Sequence, residues 1–350
     1  MNSIYDYSIE RLENKLEEDG GKKYRARQIY EWIYKKGVNN FLDMSNIGKK
    51  NLPYFEQNFT SNDLKVKSIQ ESKDGTVKFL YSLSDGNFIE TVLMRHEYGN
   101  SVCISTQVGC NMGCAFCASG MNKKVRDLEV FEMVLQVKQI NDYLAETDER
   151  VSHVVIMGIG EPFDNYYNVM DFIRVINNPY GMEIGARHIT LSTCGLVPAI
   201  KKFKDFPFQV NLAVSLHFPN DILRKKYMPI ANSYNLSQLL NAVDEYFEAT
   251  SRRITFEYIL LDGINDNLTC AKELVAIARN RNCYINLIPM NEASDKFRRS
   301  TKENTNKFYS YLQTKGVNCT LRREYGSDID AACGQLRIKV MKENHEGNNN

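Results

Sequence analysis

Val102-Cys103-Ile104-Ser105-Thr106-Gln107-Val108-Gly109-Cys110-Asn111-Met112-Gly113-Cys114-Ala115-Phe116-Cys117 runs from a strand-like stretch into three cysteines spaced C-x3-C-x2-C. Residues Val102 to Val108 suit a strand, and the two glycines that follow break it, so the cysteines fall on a loop just past a strand end. In folds built from βα repeats, loops at the C-terminal ends of strands carry the chemistry. Thiolates are natural ligands of iron–sulfur clusters, and three of them leave one iron of a four-iron cluster open to a substrate or cofactor. A structural zinc site wants four ligands, and no further Cys or His follows within thirty residues of Cys117. Chance crowding of core cysteines is the other bland alternative.

Outward from this loop, short β-branched or apolar runs alternate with amphipathic stretches, which is the signature of a βα repeat. The later strand-like runs are His153 to Met157, His188 to Ser192, Val210 to Leu216, Ile254 to Leu261, Tyr284 to Ile288 and Cys319 to Arg322. The first helical stretch, Glu129 to Glu146, sets Val130, Met133, Val134, Val137, Ile140 and Leu144 on one face. Tyr166 to Asn177, Leu236 to Ala249, Leu268 to Arg279 and Lys302 to Gln313 follow the same pattern. Apolar runs such as Val154-Val155-Ile156-Met157 suit a parallel sheet covered on both faces. The expectation is an α/β fold: a partial (βα)6 TIM-like barrel over residues 96–342.

Residues 1–95 read as a small accessory module that contacts RNA. Helical patterns over Ile9 to Glu18 and Arg25 to Lys36 precede two alternating strands, Thr76 to Leu83 and Phe88 to Met94, joined by Ser84-Asp85-Gly86-Asn87. Asp-Gly between alternating runs signals a hairpin. Residues 343–350 are polar and expected to be disordered.

With 43% hydrophobic and 25% charged residues among 350, the chain has enough apolar material for a sizeable core. It carries neither a signal-peptide pattern nor a run of about 18 apolar residues, so a cytoplasmic protein is expected. Nine cysteines, an odd number, fit metal or redox chemistry better than a disulfide framework. Net charge of +1 hides local basic groups: Lys22, Lys23, Arg25 and Arg27; Lys123, Lys124 and Arg126; Arg224, Lys225 and Lys226; Lys296, Arg298, Arg299 and Lys302. These, with Tyr24, Tyr30, Trp32 and Tyr34, are candidate RNA-gripping surfaces, against the plainer readings of solvated faces and a local aromatic core.

C-x3-C-x2-C after the first barrel strand, with Phe116 before the last cysteine, resembles the radical-SAM superfamily. Gly158-Ile159-Gly160-Glu161-Pro162, Leu191-Ser192-Thr193, Leu212 to His217, Asn286 to Asn291 and Gly326 to Leu336 narrow the resemblance to the RlmN/Cfr family of RNA adenine methylases, over nearly the whole chain. That resemblance implies that Cys110, Cys114 and Cys117 hold a [4Fe-4S] cluster whose open iron binds S-adenosylmethionine (SAM). It assigns cofactor contacts to Gly160, Glu161, Ser192, Ser215, Leu216, His217 and Asn291, most of them at predicted strand ends. On the residues alone, His217 is as well read as a hydrogen-bonded core histidine.

Carbon 2 of adenine has no nucleophilic lone pair, so direct displacement on a sulfonium methyl is closed to it. The resemblance implies a radical route using two SAM molecules per turnover. Cys333 is first methylated, its methyl group then loses a hydrogen atom and adds to the base, and a Cys103–Cys333 disulfide releases the product. Glu90 aligns with the proton acceptor, although a solvent-facing strand carboxylate is an equally ordinary reading. The implied partners are 23S rRNA and tRNA, with a flavodoxin-type reductase as electron donor, no membrane and a monomeric enzyme. The alternatives are the carbon-8 branch of the family and a non-catalytic RNA-binding protein with a structural metal. Cys194, Cys270, Cys283 and Cys319 read as small core residues; Cys194 departs from the family's pattern, with no loss of activity expected.

Overall fold

The computed structural model describes residues 1–121, 123–290, 296–326 and 328–330. The predicted contacts Asn291 and Cys333, and the 343–350 tail, lie outside the described residues. One sheet holds ten strands side by side in chain order: β1 Lys65–Glu71, β2 Val77–Ser82, β3 Phe88–His96, β4 Gly99–Cys103, β5 Val151–Ile156, β6 Ile189–Thr193, β7 Asn211–Ser215, β8 Ile254–Leu260, β9 Cys283–Pro289 and β10 Cys319–Leu321. Strands β1 to β4 are antiparallel, and β4 to β10 are parallel throughout. Six parallel pairings make the expected (βα)6 barrel. Among the described residues β1 and β10 stay apart, so it remains open.

The helices are α1 Ile9–Glu18, α2 Tyr24–Tyr30, α3 Leu52–Asn58, α4 Val130–Ala145, α5 Tyr166–Asn177, α6 Val197–Phe203, α7 Asp221–Tyr227, α8 Leu236–Thr250, α9 Leu268–Ala278 and α10 Lys302–Thr314. Reciprocal Glu129–Glu132 and Asn235–Gln238 capping boxes start α4 and α8 by satisfying amides that have no partner inside the helix. Among the described residues no helix is long and apolar enough to cross a membrane.

Two features of the amino-terminal third differ from the sequence expectation. The hairpin is joined by an unforeseen strand, β1, whose mostly exposed Lys65-Val66-Lys67-Ser68 start reads as polar because it is an edge. The hairpin also runs on into the barrel sheet, with Val92 of β3 opposite Cys103 of β4. The helices before it dock on α4 and α5: Asp6 accepts from the Phe131 amide at 2.8 Å, and Arg11 pairs with Asp171. Their buried Tyr5, Ile29 and Tyr30 share one core with the barrel helices.

The predicted strand Val102 to Val108 is shorter, ending at Cys103. Beyond it Gln107-Val108 turns away to pair with Arg126-Asp127. That turn leaves a gap over which Gly158-Ile159-Gly160 crosses, with the amides of Thr106 and Gln107 both donating to the Ile159 carbonyl. A Cβ at Gly158 would lie 2.5 Å from the Ile104 carbonyl oxygen, and one at Gly160, where φ is +115°, would strike the Thr106 and Gln107 side chains. Glycine is therefore required at both positions.

Candidate active site

The cysteine loop closes one end of a cavity of about 220 Å³ at the C-terminal mouth of the barrel. Cys110, Cys114 and Cys117 line it together with Gly160, Glu161, Ser192, Ser215 and His217. The loop turns tightly, Cys117 and Gly120 donating backward to the carbonyls of Cys114 and Cys117, and the Ala115 amide donates to the Tyr227 carbonyl at the end of α7. Met112 and Phe116 anchor it in a small apolar cluster with Phe218, Met228 and Met290. Eight predicted residues from four separate stretches of sequence thus line one cavity, as the strand-end reading expects. Leu216 is not among the lining residues: its side chain is fully buried and its amide donates to the Val214 carbonyl.

Each polar group in this cavity is fixed from behind. Glu161 accepts from the amides of Cys194 (2.8 Å) and Phe163 (3.2 Å). Burial pushes its carboxyl up, against those two bonds, which favour the charged form. Ser192 and Ser215 hydroxyls lie 3.5 Å apart across β6 and β7. His217 occupies the left-handed region at φ +54°, a strained state for a residue with a Cβ. Three hydrogen bonds hold it there: its amide donates to Glu257, its carbonyl accepts from Asn265, and its Nδ1 accepts from the Ile259 amide. The ring is therefore neutral with its proton on Nε2, and burial holds its pKa down to about 3. Phe116 packs edge-on against it at 4.9 Å.

A second cavity, of about 180 Å³, holds the other predicted residues, Glu90 and Cys103. Met157, Gly158, Ile288 and Arg322 line both cavities, which therefore adjoin. Glu90 does not face solvent: it is 4% exposed and paired with Lys78 at 2.9 Å. Burial pushes the Cys103 thiol up, while Arg322 nearby and the Met157 amide favour its thiolate. No disulfide joins the described cysteines.

Residues 104–269 match the Radical SAM superfamily, and residues 2–53 match the ribosomal RNA large subunit methyltransferase N-terminal domain. A probable dual-specificity RNA methyltransferase RlmN of Spiroplasma citri is 54% identical over 340 residues, which is 97% of this chain and 98% of the relative. The chain belongs to the RlmN family of radical-SAM RNA methyltransferases. The corresponding RlmN protein of Enterococcus faecalis is 54% identical over 346 residues, with 97% of each chain covered. A radical SAM methyltransferase from Sphaerobacter thermophilus, solved crystallographically, superposes with a TM-score of 0.90 at 41% identity, covering 96% of this chain and 99% of that one.

Membership in the RlmN family implies SAM, an iron–sulfur cluster and an RNA substrate. The donor set fits a cluster: Cys110, Cys114 and Cys117 line one cavity. Burial, and then nearby negative charge including one another's, pushes the Cys110 thiol up to about 11 and Cys114 further. A cationic centre among them would offset that cost.

Sequence reasoning missed three residues of this RlmN-family site. Glu257 on β8 lines the cluster-side cavity and accepts from Asn286 at 2.9 Å; burial raises its pKa to about 7. Arg322 stands where the two cavities meet. Arg224, placed by its neighbours in a surface basic group, is instead 1% exposed, donating to the carbonyls of Ser215, Leu216 and Cys194. Cys194 is buried in the small apolar cluster, as read, and also lines the cavity; Cys270 and Cys283 lie in the main core and Cys319 packs half-buried against it.

The other predicted RNA surfaces are engaged within the protein only in part, with Lys22, Tyr24, Lys225 and Lys226 exposed. Lys23, Arg27, Lys124, Arg126 and Arg299 are ion-paired, Tyr30 is fully buried, and Tyr34 and Trp32 pack partly buried against the core.

Proposed function

We propose that this protein methylates carbon 2 of adenine in 23S rRNA and in tRNA, acting as a cytoplasmic monomer. The observation that carries the reading is the junction of two cavities at Met157, Gly158, Ile288 and Arg322: the cysteine loop opens into one, Cys103 and Glu90 into the other.

Cys110, Cys114 and Cys117 would hold a [4Fe-4S] cluster. Gly160, Glu161, Ser192, Ser215, His217 and Asn291 would hold SAM, Glu161 accepting from its amino group and neutral His217 donating through Nε2. When bound, these groups supply a methyl group in one half-reaction and, with one electron from a flavodoxin-type donor, a carbon radical in the next. The Cys333 sulfur takes the methyl group, loses a hydrogen atom from it to that radical, and joins its carbon to adenine C2. Once the adduct has passed one electron back, with the oxidised cluster as the acceptor, Glu90 takes the C2 proton. Cys103 then attacks the Cys333 sulfur, the S–C bond breaks, and the electron pair stays with the base, where a proton completes the methyl group. The resulting disulfide must be reduced before another turnover.

Single-turnover reaction of a Cys103→Ala variant tests the release step: RNA remaining covalently attached to protein supports it, and normal product without an adduct overturns it. Mass spectrometry of rRNA and tRNA nucleosides from a deletion strain tests the specificity. Loss of 2-methyladenosine is expected. Loss of 8-methyladenosine instead would assign the carbon-8 reaction, and no change with no deoxyadenosine release in vitro would leave a binding protein.

A further inference from the structure

Past β10, at one edge of the ten-stranded sheet, the chain runs back to the β1–β2 hairpin at the other edge. On the way Arg322, Arg323, Glu324 and Tyr325 line the cavity that holds Glu90 and Cys103. Arg299 pairs with Glu324, and the Tyr325 hydroxyl meets Nδ1 of His96 on β3 at 2.8 Å. Residues 322–326 and 328–330 thus form a strap beside that cavity, and Cys333 follows Asp330 by three positions in the sequence.

The turn of the hairpin grips this strap. Within Ser72-Lys73-Asp74-Gly75 the Gly75 amide donates to the Ser72 carbonyl, with Gly75 at φ +83°, and the Ser72 amide donates to the Thr76 carbonyl. The Ser72 hydroxyl, the Lys73 amide and the Asp74 carboxylate then face the strap. Asp328 accepts from the Ser72 hydroxyl and from the Lys73 amide, and Asp74 accepts from the Gly326 amide at 2.9 Å. Gln70 and Asp330 exchange two hydrogen bonds of 3.1 Å, Gln70 Nε2 donating to the Asp330 carboxylate and the Asp330 amide to Gln70 Oε1. With Lys78 donating to the Asp330 carbonyl, six hydrogen bonds join hairpin and strap. The β1–β2 ladder is complete without them, so they serve the strap and not the sheet.

The grip ends at the reacting groups. Lys78 Nζ holds the Asp330 carbonyl at 2.5 Å and the Glu90 carboxylate at 2.9 Å, so Asp330 and Glu90 share one ammonium group. Three residues of chain span at most about 11 Å, so an Asp330 fixed there keeps Cys333 within that distance of it. A reacting sulfur tolerates little error: a misplacement of about 1 Å costs on the order of 100-fold in rate. Gln70, Ser72 and Asp74 themselves line neither cavity.

We propose that the β1–β2 hairpin is a clamp on this strap, with Gln70, Ser72 and Asp74 as positioning residues that keep Cys333 within reach of Cys103 and Glu90. They act through the backbone of the strap and touch no reacting atom. This rests on the reading of Cys333 as the methyl carrier and Cys103 as the releasing thiol.

The test measures methylation of an RNA stem–loop with a loop adenosine by the reconstituted full-length protein. Gln70→Ala and Ser72→Ala should each lower kcat roughly tenfold or more while KM for the RNA stays within about twofold. Ser72→Thr keeps the hydroxyl and should restore the rate. Asp328→Ala removes the other partner, so it should match Ser72→Ala, and the double variant should lose no more than either single one. A second readout needs no RNA: equilibration with reduced and oxidised glutathione, in which the two thiols are oxidised to the Cys103–Cys333 disulfide as one glutathione disulfide is reduced. Mass spectrometry after alkylation should find that disulfide roughly tenfold less favoured in Gln70→Ala and Ser72→Ala. None of the substituted side chains is buried, so unfolding transitions should match wild type. Wild-type kcat and disulfide content in both variants, or losses that add in the double variant, overturn the clamp. A rise in KM alone, which makes the hairpin an RNA contact, or a gain in kcat, which makes the strap an obstruction, overturns it as well. If Cys333→Ala keeps full activity, the fault lies instead with the reading of the cysteines.

Discussion

Lys78 Nζ lies 2.9 Å from Glu90 Oε2 with both side chains sealed from solvent, on the adjacent antiparallel strands β2 and β3. Lys78 also donates to the Asp330 carbonyl, tying the pair to the chain beyond β10. Truncating one member of a buried ion pair costs about 3–5 kcal/mol. Lys78→Met should destabilise the protein by that order, and Lys78→Met/Glu90→Gln should recover most of the loss. Denaturant melts of the four proteins in a double-mutant cycle measure it; additive effects would show that the pair is not coupled.

Glu257 titrates near 7 because burial disfavours its carboxylate, while Arg322 and the Asn286 amide favour it more weakly. Its folded pKa lies above the unfolded value, so the stability it contributes is complete below about pH 4.5 and lost as pH rises through 7. The loss across that window is on the order of 3 kcal/mol. Wild type should therefore melt lower at pH 8 than at pH 5.5 by more than Glu257→Gln does. Parallel melting curves for the two proteins across that range would remove Glu257 as the source.

Much of this was legible before the fold. The spacing of Cys110, Cys114 and Cys117, and Gly160-Glu161 at a strand end, carry local signals, because a loop ligand set and a tight glycine crossing are written in consecutive residues. Glu257 was silent: one carboxylate in Ile254-Thr255-Phe256-Glu257-Tyr258 reads as the polar side of an alternating strand. Arg224 was misread because Arg224-Lys225-Lys226 looks like one basic surface, yet α7 turns its first member inward and leaves the next two in solvent. Arg187, Arg252, Arg253, Arg322 and Arg323 come from three separate segments, so only the curvature of the barrel brings them around one space.

Loss of the cluster should be visible as a loss of stability. A group that binds only the folded state stabilises it, and a cluster would add to the backbone hydrogen bonds and apolar anchor that close the cysteine loop. Stripping iron with a chelator under anaerobic conditions should lower the melting temperature of reconstituted wild-type protein. Cys114→Ala should bind no cluster, show no visible iron–sulfur absorbance, and melt at the same temperature with or without chelator. A chelator-sensitive transition in that variant would mean that metal binds elsewhere.

Arg224 joins the two walls of the cofactor cavity without lining it. Its guanidinium donates to the Ser215 and Cys194 carbonyls, each at 3.2 Å, and to that of Leu216, bridging the ends of β6 and β7. Burial lowers its pKa, so the fold spends energy to keep this fork in place. A lysine at 224 could reach one of the three carbonyls and would leave the others buried without partners, at about 1–3 kcal/mol each. Arg224→Lys should therefore lose roughly 2–4 kcal/mol in denaturant melts, and SAM affinity measured by calorimetry on the reconstituted protein should fall more than tenfold as Ser215 and Cys194 drift apart. If stability falls and SAM affinity does not, Arg224 supports the fold alone and the cavity walls are set by the strands themselves.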